Sequence, residues 1–239
     1  MLLTTKTIIM TSDKLKEIQT LLCKKSETKQ QVFRITQEVF KELKQVLKQI
    51  ESELIPSIDK EAPHVEVKYN DKGDFEVHFK FSGDTLVMMM HTNVFDFDQN
   101  HFINKTKYVQ EDHMREFCGM IQIYNFLSDS LKYNRDQDLG YLIARIFINK
   151  DRHFFVDGKR PLSFVFNDFE NNVISNQSLR EIIEEAMIFC LKFDLMAPPV
   201  DAISFITIEQ KNMMSHGSGM PTGKRLGFVM ERDSENSVS

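Results

Sequence analysis

Hydrophobic residues in the first quarter of the chain recur at the three- and four-residue spacing of a helix. The apolar positions of this register are Leu15, Ile18, Leu22, Val32, Val39, Leu43, Val46 and Ile50, and the polar ones are Lys25, Lys29 and Thr36. Asp13 or Ser12 can cap the start, and Pro56 favours an end. We therefore predict a helical arm over residues 12–56, with residues 32–50 as its buried part.

The polar stretch at residues 24–29 interrupts this apolar stripe. It is compatible with a hinge between two helices and equally with an exposed stretch of one long helix. The stripe is wider than a two-position coiled-coil seam, which favours packing on a sheet or in a bundle. The sequence leaves open whether the arm packs on its own sheet or on a partner.

A change to two-residue alternation follows the arm and predicts a β-hairpin. Val67 and Tyr69 lie before the turn residues 71–73, and Phe75 and Val77 lie after them. Gly73 suits the left-handed position of a three-residue loop, which sets Tyr69 opposite Phe75 and Val67 opposite Val77. This register places the apolar side chains on one face of the hairpin and the charged ones, with Glu66 opposite His78, on the other.

Further apolar runs predict more strands. They cover residues 85–98, 102–109, 141–149, 153–156, 162–166 and 201–208. The pair at 141–149 and 153–156 forms a second hairpin, predicted to lie centrally in the sheet, in which Arg145 faces Asp157 and gains the partner that a buried guanidinium requires. Residues 112–134 are either one helix or a strand from Cys118 followed by a helix.

A second helix is predicted near the end of the folded region. Ser178 and Glu181 have the spacing of a capping box, an apolar face runs from Leu179 to Phe193, and Pro198 with Pro199 stops the helix. The fold class is α+β, with the long N-terminal helix and this helix packed on a mostly antiparallel, strongly curved sheet of about seven to nine strands. Residues 1–11 are predicted to be disordered, 57–210 to form one globular body, and 211–239 to be a flexible tail.

The composition indicates the class of protein more than its chemistry. Thirty Lys and Arg against 35 Asp and Glu give a net charge of −5, so we expect no nucleic-acid partner. No apolar run approaches the length of a membrane-spanning helix, and no secretory signal is present, so we expect a cytoplasmic protein. Cys23, Cys118 and Cys190 lack the spacing of a disulfide framework or zinc site and are expected to be buried free thiols.

Four residues in one short segment form the densest set of possible metal ligands: His91, Asp96, Asp98 and His101. His91 has the opposite strand parity to Asp96, and Asp residues beside a turn commonly bond the turn backbone, so turn chemistry is the preferred interpretation. Two further pairs, His113 with Cys118 and Glu66 with His78, have the composition of a catalytic site without a recognisable context for one.

Two basic segments suggest anion binding. Residues 217–225 resemble a phosphate-binding loop but place Arg225 where the magnesium-binding hydroxyl belongs and Pro221 inside the loop. Lys159 and Arg160 form a basic turn after a predicted strand, which could receive a phosphate or carboxylate. From these patterns we assign no catalytic residue, no metal ligand and no cofactor.

The remaining functional signal is the helix itself. The preferred hypothesis is a non-enzymatic interaction module that forms a homo-oligomer, or binds a protein partner, through the 15–54 helix. The alternative is a small-molecule-binding domain with a Phe- and Met-lined pocket on the concave sheet face, where Met88 to Met90 would line the site. A metal-dependent enzyme that uses residues 91–101 is a third and weaker hypothesis.

Overall fold

A computed structural model describes residues 13–193, together with residues 207 and 208. The predicted disordered start, most of the strand predicted at 201–208, the basic loop at 217–225 and the tail at 211–239 lie outside the described residues. Within them the chain is α+β, with a long N-terminal helix and one antiparallel sheet.

The N-terminal helix is continuous from Asp13 to Glu61. It consists of α1 (Asp13–Leu21), a π-helical turn (Leu22–Ser26) and α2 (Glu27–Glu61). Pro56 lies inside α2, so the prediction that it ends the helix is wrong. The helix ends instead at Glu61, because the next residue, Ala62, precedes Pro63 and its backbone leaves the helical region (φ −144°, ψ 67°).

Between residues 13 and 193 the sheet is a meander of six antiparallel strands in chain order. The strands are β1 (Val67–Asp71), β2 (Glu76–Phe81), β3 (Asp84–Met90), β4 (Cys118–Leu127), β5 (Tyr141–Asn149) and β6 (Phe154–Gly158). The six strands of the described residues are fewer than the seven to nine predicted. The sheet is neither closed nor strongly curled, so the predicted strong curvature is wrong.

Two segments that were predicted as strands are helical. Residues 102–109 form a 3₁₀ turn (Phe102–Lys105) and α3 (Lys107–Glu111), and residues 162–166 contain α5 (Leu162–Val165). The Thr106 side chain accepts a hydrogen bond from the Val109 backbone N–H, which is an N-cap that the apolar pattern alone does not reveal.

The first hairpin has a different register from the one predicted. Val67 faces Phe81 and Tyr69 faces Phe79, four positions further along β2 than expected. The shift is an even number of residues, so the apolar side chains stay on one face. Gly73 does have a positive φ (+113°), but the connection between the strands is four residues long.

The second hairpin has the predicted register, with Arg145 opposite Asp157 and the two side chains ion-paired. Its predicted central position is wrong, because β6 is the last strand of the sheet that the described residues form. The outer edge of β6 is covered by the segment that follows it: the Val156 N–H donates to the Phe166 carbonyl (2.7 Å) and the Phe154 N–H donates to the Asn172 carbonyl (3.0 Å).

The ambiguous region 112–134 is a strand followed by a helix. A 3₁₀ turn (His113–Glu116) leads into β4, and α4 (Ser128–Lys132) follows it. The C-terminal helix α6 runs over Asn176–Leu191, so it begins and ends earlier than predicted. Its capping box is formed by Ser175 and Ser178 rather than by Ser178 and Glu181.

The main core lies between one face of the sheet and the two long helices. Val32 to Ile50 of α2 supplies the buried side of the helix, as predicted, and α6 packs beside it. The buried residues of α2 are Thr28, Val32, Thr36, Val39, Phe40, Leu43, Val46, Leu47 and Ile50. A second apolar cluster on the opposite face includes Cys118, Phe147 and Phe155 and is covered by parts of residues 91–117.

Helix α2 approaches the sheet closely at Gly119 of β4. A Cβ atom at this position would overlap the Thr36 side chain, whose hydroxyl already donates a hydrogen bond to the Val32 carbonyl (2.7 Å). Only glycine therefore allows the helix to lie this close to β4.

We predict that Gly119→Ala lowers the free energy of unfolding by about 2 kcal/mol, because overpacking forces the helix away from the strand. Urea denaturation measures the loss. Gly83→Ala, where a Cβ would meet no atom within 4 Å, is the matched control and should stay within about 0.5 kcal/mol of the wild type. Adding Thr36→Ala to Gly119→Ala should recover part of the loss, because the smaller side chain makes room for the new Cβ. If the losses from the two substitutions simply added, the Thr36 side chain would not be the group that the new Cβ overlaps.

Candidate functional site

The N-terminal end of the long helix extends beyond the part that packs on the sheet. We call residues 13–26 the projecting segment. None of its residues is buried. Its apolar side chains are therefore open to solvent, and Ile18, Leu21 and Leu22 have exposed fractions of 50%, 51% and 58%. Leu15 is exposed to a similar extent, at 52%. The segment therefore presents an apolar stripe to solvent.

Contacts between the helix and the body begin at the end of this segment. Lys25 and Lys29 place their ammonium groups 5.2 Å and 5.1 Å from the centre of the Phe117 ring, and Thr28 is the first buried residue of the helix. Sequence periodicity identified the stripe but missed Leu21, which lies outside the seam register. The charged residues Lys24 and Lys25 were the sequence signal that the exposed part of the apolar stripe ends here and the buried part begins.

The π-helical turn at Leu22–Ser26 changes the direction of the stripe. A π-helical turn accommodates about one more residue than an α-helical turn, and each residue of an α-helix corresponds to about 100° of rotation. The π-helical turn therefore changes the angle about the helix axis between Ile18 and the sheet-facing residues of α2. In an uninterrupted α-helix this angle would be different. The apolar stripe of the projecting segment is not a simple continuation of the stripe buried on the sheet.

Charge is unevenly distributed along the projecting segment. Its first turns are balanced, since Lys14 and Lys16 accompany Asp13 and Glu17, and Lys16 lies 3.6 Å from the Asp13 carboxylate. Its last turn carries Lys24 and Lys25 without an acidic residue before Glu27. The segment therefore has a net charge of +2, concentrated at the end nearest the body.

Three of the residues considered as metal ligands, His91, Asp96 and Asp98, accept hydrogen bonds from the backbone of the segment that connects β3 with the helices after it. His91 Nδ1 accepts a hydrogen bond from the Asn93 N–H (3.0 Å), and the Asp98 carboxylate accepts one from the Asn100 N–H (2.8 Å). Asp96 likewise accepts from the adjacent Phe97 N–H. Among residues 13–193, no three His, Cys, Asp or Glu side chains are grouped so that they could hold a metal ion.

The cysteines differ in their environments. Cys118 is fully buried in the second cluster, and this burial raises the pKa of its thiol well above the usual range, which disfavours a thiolate. His113, the base considered for it, is exposed. Cys190 is also buried, whereas Cys23 is exposed on the projecting segment, contrary to the prediction that it is buried.

The other polar pairs are rearranged. His78 pairs with Glu76 on its own strand (2.6 Å), and Glu66 pairs with Lys80, so the predicted Glu66–His78 pair does not form. Lys159 lies over the Tyr141 ring, 4.9 Å from its centre, while Arg160 is exposed in the turn. The basic turn therefore presents the Arg160 guanidinium to solvent, but it does not present Lys159 and Arg160 together as a site for one anion.

The proposed Met-lined pocket falls on a covered surface. Met88 and Met90 belong to the main core under α2 and α6, with exposed fractions of 0% and 4%. Met89 points to the opposite face and is half-buried. A Phe-lined depression does occur on that opposite side of the sheet, at β6.

This depression has a volume of about 370 Å³. Its lining residues are His101, Phe102, Phe155, Val156, Asp157, Ser163 and Asn167. Sequence reasoning considered His101 and Asp157 for other roles and missed Ser163 and Asn167, because residues 162–166 were predicted to be a strand. The alternative signal was Pro161, which favours the start of a helical turn.

Comparison with protein-family models, with curated proteins and with solved structures yields no significant match to this chain. No helix in the described part of the chain combines the length and apolar character needed to cross a lipid bilayer.

The difference in burial between the cysteines predicts a simple labelling pattern. In the native protein one thiol, Cys23, should react rapidly with a disulfide reagent such as DTNB, and Cys118 and Cys190 should react only on unfolding. Cys23→Ser should abolish the rapid phase. A rapid phase of two or three thiols, or one that survives Cys23→Ser, would contradict the described packing.

Proposed function

We propose that this chain is a non-enzymatic, cytosolic interaction module that self-associates through residues 13–26 of its long helix. The observation that carries the proposal is the exposed apolar stripe of the projecting segment. The apolar side of residues 32–50 is already buried on the chain's own sheet, whereas the apolar side chains of residues 13–26 are exposed, so the N-terminal end offers a second copy an apolar surface.

Exposure of Ile18, Leu21 and Leu22 on one short helical segment supports this role. Single exposed apolar residues are ordinary on protein surfaces, but a contiguous apolar stripe is typical of an interaction site. Most helix stability in proteins comes from tertiary packing of an apolar face, and the projecting segment has no buried residue. A second helix laid along the stripe would supply this packing.

A second copy is the partner that the charges favour, in an antiparallel orientation. A parallel pair would set Lys24 and Lys25 of one copy beside the same lysines of the other. An antiparallel pair instead sets this positive end beside the balanced end that contains Asp13 and Glu17, and it aligns the two helix dipoles favourably. It also keeps the two negatively charged bodies at opposite ends of the pair.

In this antiparallel pair Ile18 of one copy packs against Leu22 of the other, and the symmetry repeats the contact. The apolar contact is only a few helical turns long, which indicates a weak dimer with a dissociation constant on the order of 100 µM. Exposed Lys14 and Lys16 would flank the contact and keep it soluble.

Ile18→Lys with Leu22→Lys should abolish self-association, because each change places an ammonium group on the apolar stripe. Sedimentation velocity from about 10 µM to about 1 mM should show a concentration-dependent dimer for the wild type and a monomer for this variant. Thr20→Lys, which adds a lysine on the opposite side of the helix, is the control for charge placed away from the stripe and should dimerise like the wild type. The thermal midpoint should not change in either variant, because none of these residues is buried.

A wild-type protein that remains monomeric over this range would refute the proposal. So would a dimer that is unaffected by the Ile18 and Leu22 changes, since its interface would then lie elsewhere on the chain.

Orientation can be tested by disulfide formation in a Cys23→Ser background. Ile18→Cys mixed with Leu22→Cys should give a cross-linked heterodimer faster than either variant alone gives a homodimer. Thr20→Cys is the control for random collisions. Preferential homodimer formation by Ile18→Cys would indicate a parallel pair and contradict the charge argument.

A further inference from the structure

We propose that the depression at β6 is a binding site for a small, neutral, planar nitrogen heterocycle of about nucleobase size. The site is separate from the projecting segment and does not depend on self-association. Its volume of about 370 Å³ lies near the lower end of the range for small-molecule pockets, which favours a ligand of one or two rings.

Aromatic side chains form one wall of the depression. Phe102 has an exposed fraction of 43%, and its ring meets the buried Phe155 ring edge to face, with 5.2 Å between centroids and an interplanar angle of 82°. A large exposed aromatic ring held in place by a buried one is a suitable surface for stacking a planar ligand.

The His101 ring is held in place by an aromatic neighbour. Its ring stacks on Phe97, with 4.6 Å between centroids and an angle of 27°. Its Nδ1 atom is buried and has no hydrogen-bond partner among the described residues, which leaves a polar atom in need of one. Desolvation lowers the pKa of His101, against the opposing influence of Asp157 and Asp98, so the imidazole is neutral at neutral pH.

The remaining polar groups can recognise the edge of a heterocycle. Asp157 accepts hydrogen bonds, and its charge is offset by the ion pair with Arg145. The Ser163 hydroxyl and the Asn167 carboxamide, which both donate and accept, form no hydrogen bonds with other residues in the described part of the chain. These groups together match alternating N–H donors and ring-nitrogen acceptors.

The charge balance selects a neutral ligand over an ionic one. His101 is neutral and the Asp157 carboxylate is paired with Arg145, so the depression holds no uncompensated charge for an ion to meet. A purine such as adenine fits these requirements: a ring face for Phe102, an amino group for Asp157, and ring nitrogens for the donors of Ser163 or Asn167.

Binding of adenine to the full-length protein tests the proposal by saturation-transfer difference NMR and titration. We expect saturable binding with a dissociation constant on the order of 1 mM, as suits a small ligand in an open site. Phe102→Ala should weaken binding at least about fivefold, which corresponds to roughly 1 kcal/mol and agrees with the worth of base–aromatic stacking. Phe75→Ala removes another partly exposed phenylalanine (38%), in the first hairpin, and should leave binding unchanged.

A second variant separates recognition from stacking. Asn167→Leu removes a carboxamide on an exposed residue, so the fold should be retained and adenine binding should weaken. Absence of saturable adenine binding to the wild type would overturn the proposal, as would equal weakening by Phe75→Ala and Phe102→Ala. Benzoate, a planar anion of similar size, should bind more weakly than adenine; equal or tighter binding would overturn the charge argument.

Discussion

The packing of α2 across one face of the sheet is the interaction on which the rest of the structure depends. Its apolar side, from Val32 to Ile50, closes the main core, and the approach at Thr36 is possible only because β4 has Gly119 there. The helix is also tied at its flanks: Arg152 donates to Glu42 (2.6 Å), and Lys44 donates to Asp71 (2.6 Å). These polar contacts join α2 to the turn after β5 and to the end of β1.

This packing divides the long helix into two parts with different roles. The sheet buries the helix as far as Thr28, and the lysines at 25 and 29 mark its limit by lying over Phe117. Beyond this limit the helix continues with no residue buried by the described part of the chain, and the π-helical turn redirects its apolar stripe. Parts of residues 91–117 cover the second apolar cluster on the opposite face of the sheet, and the depression at β6 lies beside this cover.

Sequence patterns predicted the parts of the fold in which one local signal decides the structure. The buried range of the helix followed from its periodicity, and the Arg145–Asp157 pair followed from the short turn between β5 and β6. The first hairpin shows the limit of such reasoning. An even shift in register leaves the apolar pattern unchanged, so alternation around Gly73 cannot distinguish Val67 opposite Val77 from Val67 opposite Phe81.

The other wrong predictions concern features that depend on contacts which the local apolar pattern does not specify. Apolar runs such as residues 102–109 fit a buried strand or a short helix equally well, and the deciding contact was the Thr106 cap. The depression at β6 could not be predicted, because it brings together residues from three separate segments. The exposed state of Cys23 could not be predicted either, since it depends on where the sheet ends beneath the helix rather than on the local sequence.

The helix has a part that its own sheet buries and an exposed part, residues 13–26, that we propose a second copy covers. Hydrogen–deuterium exchange measured at several protein concentrations tests this claim most directly. The amides of residues 32–50 should be strongly protected at every concentration, and those of residues 13–26 should gain protection as the concentration rises. Protection of residues 13–26 that does not change with concentration, whether high or low, would contradict the account.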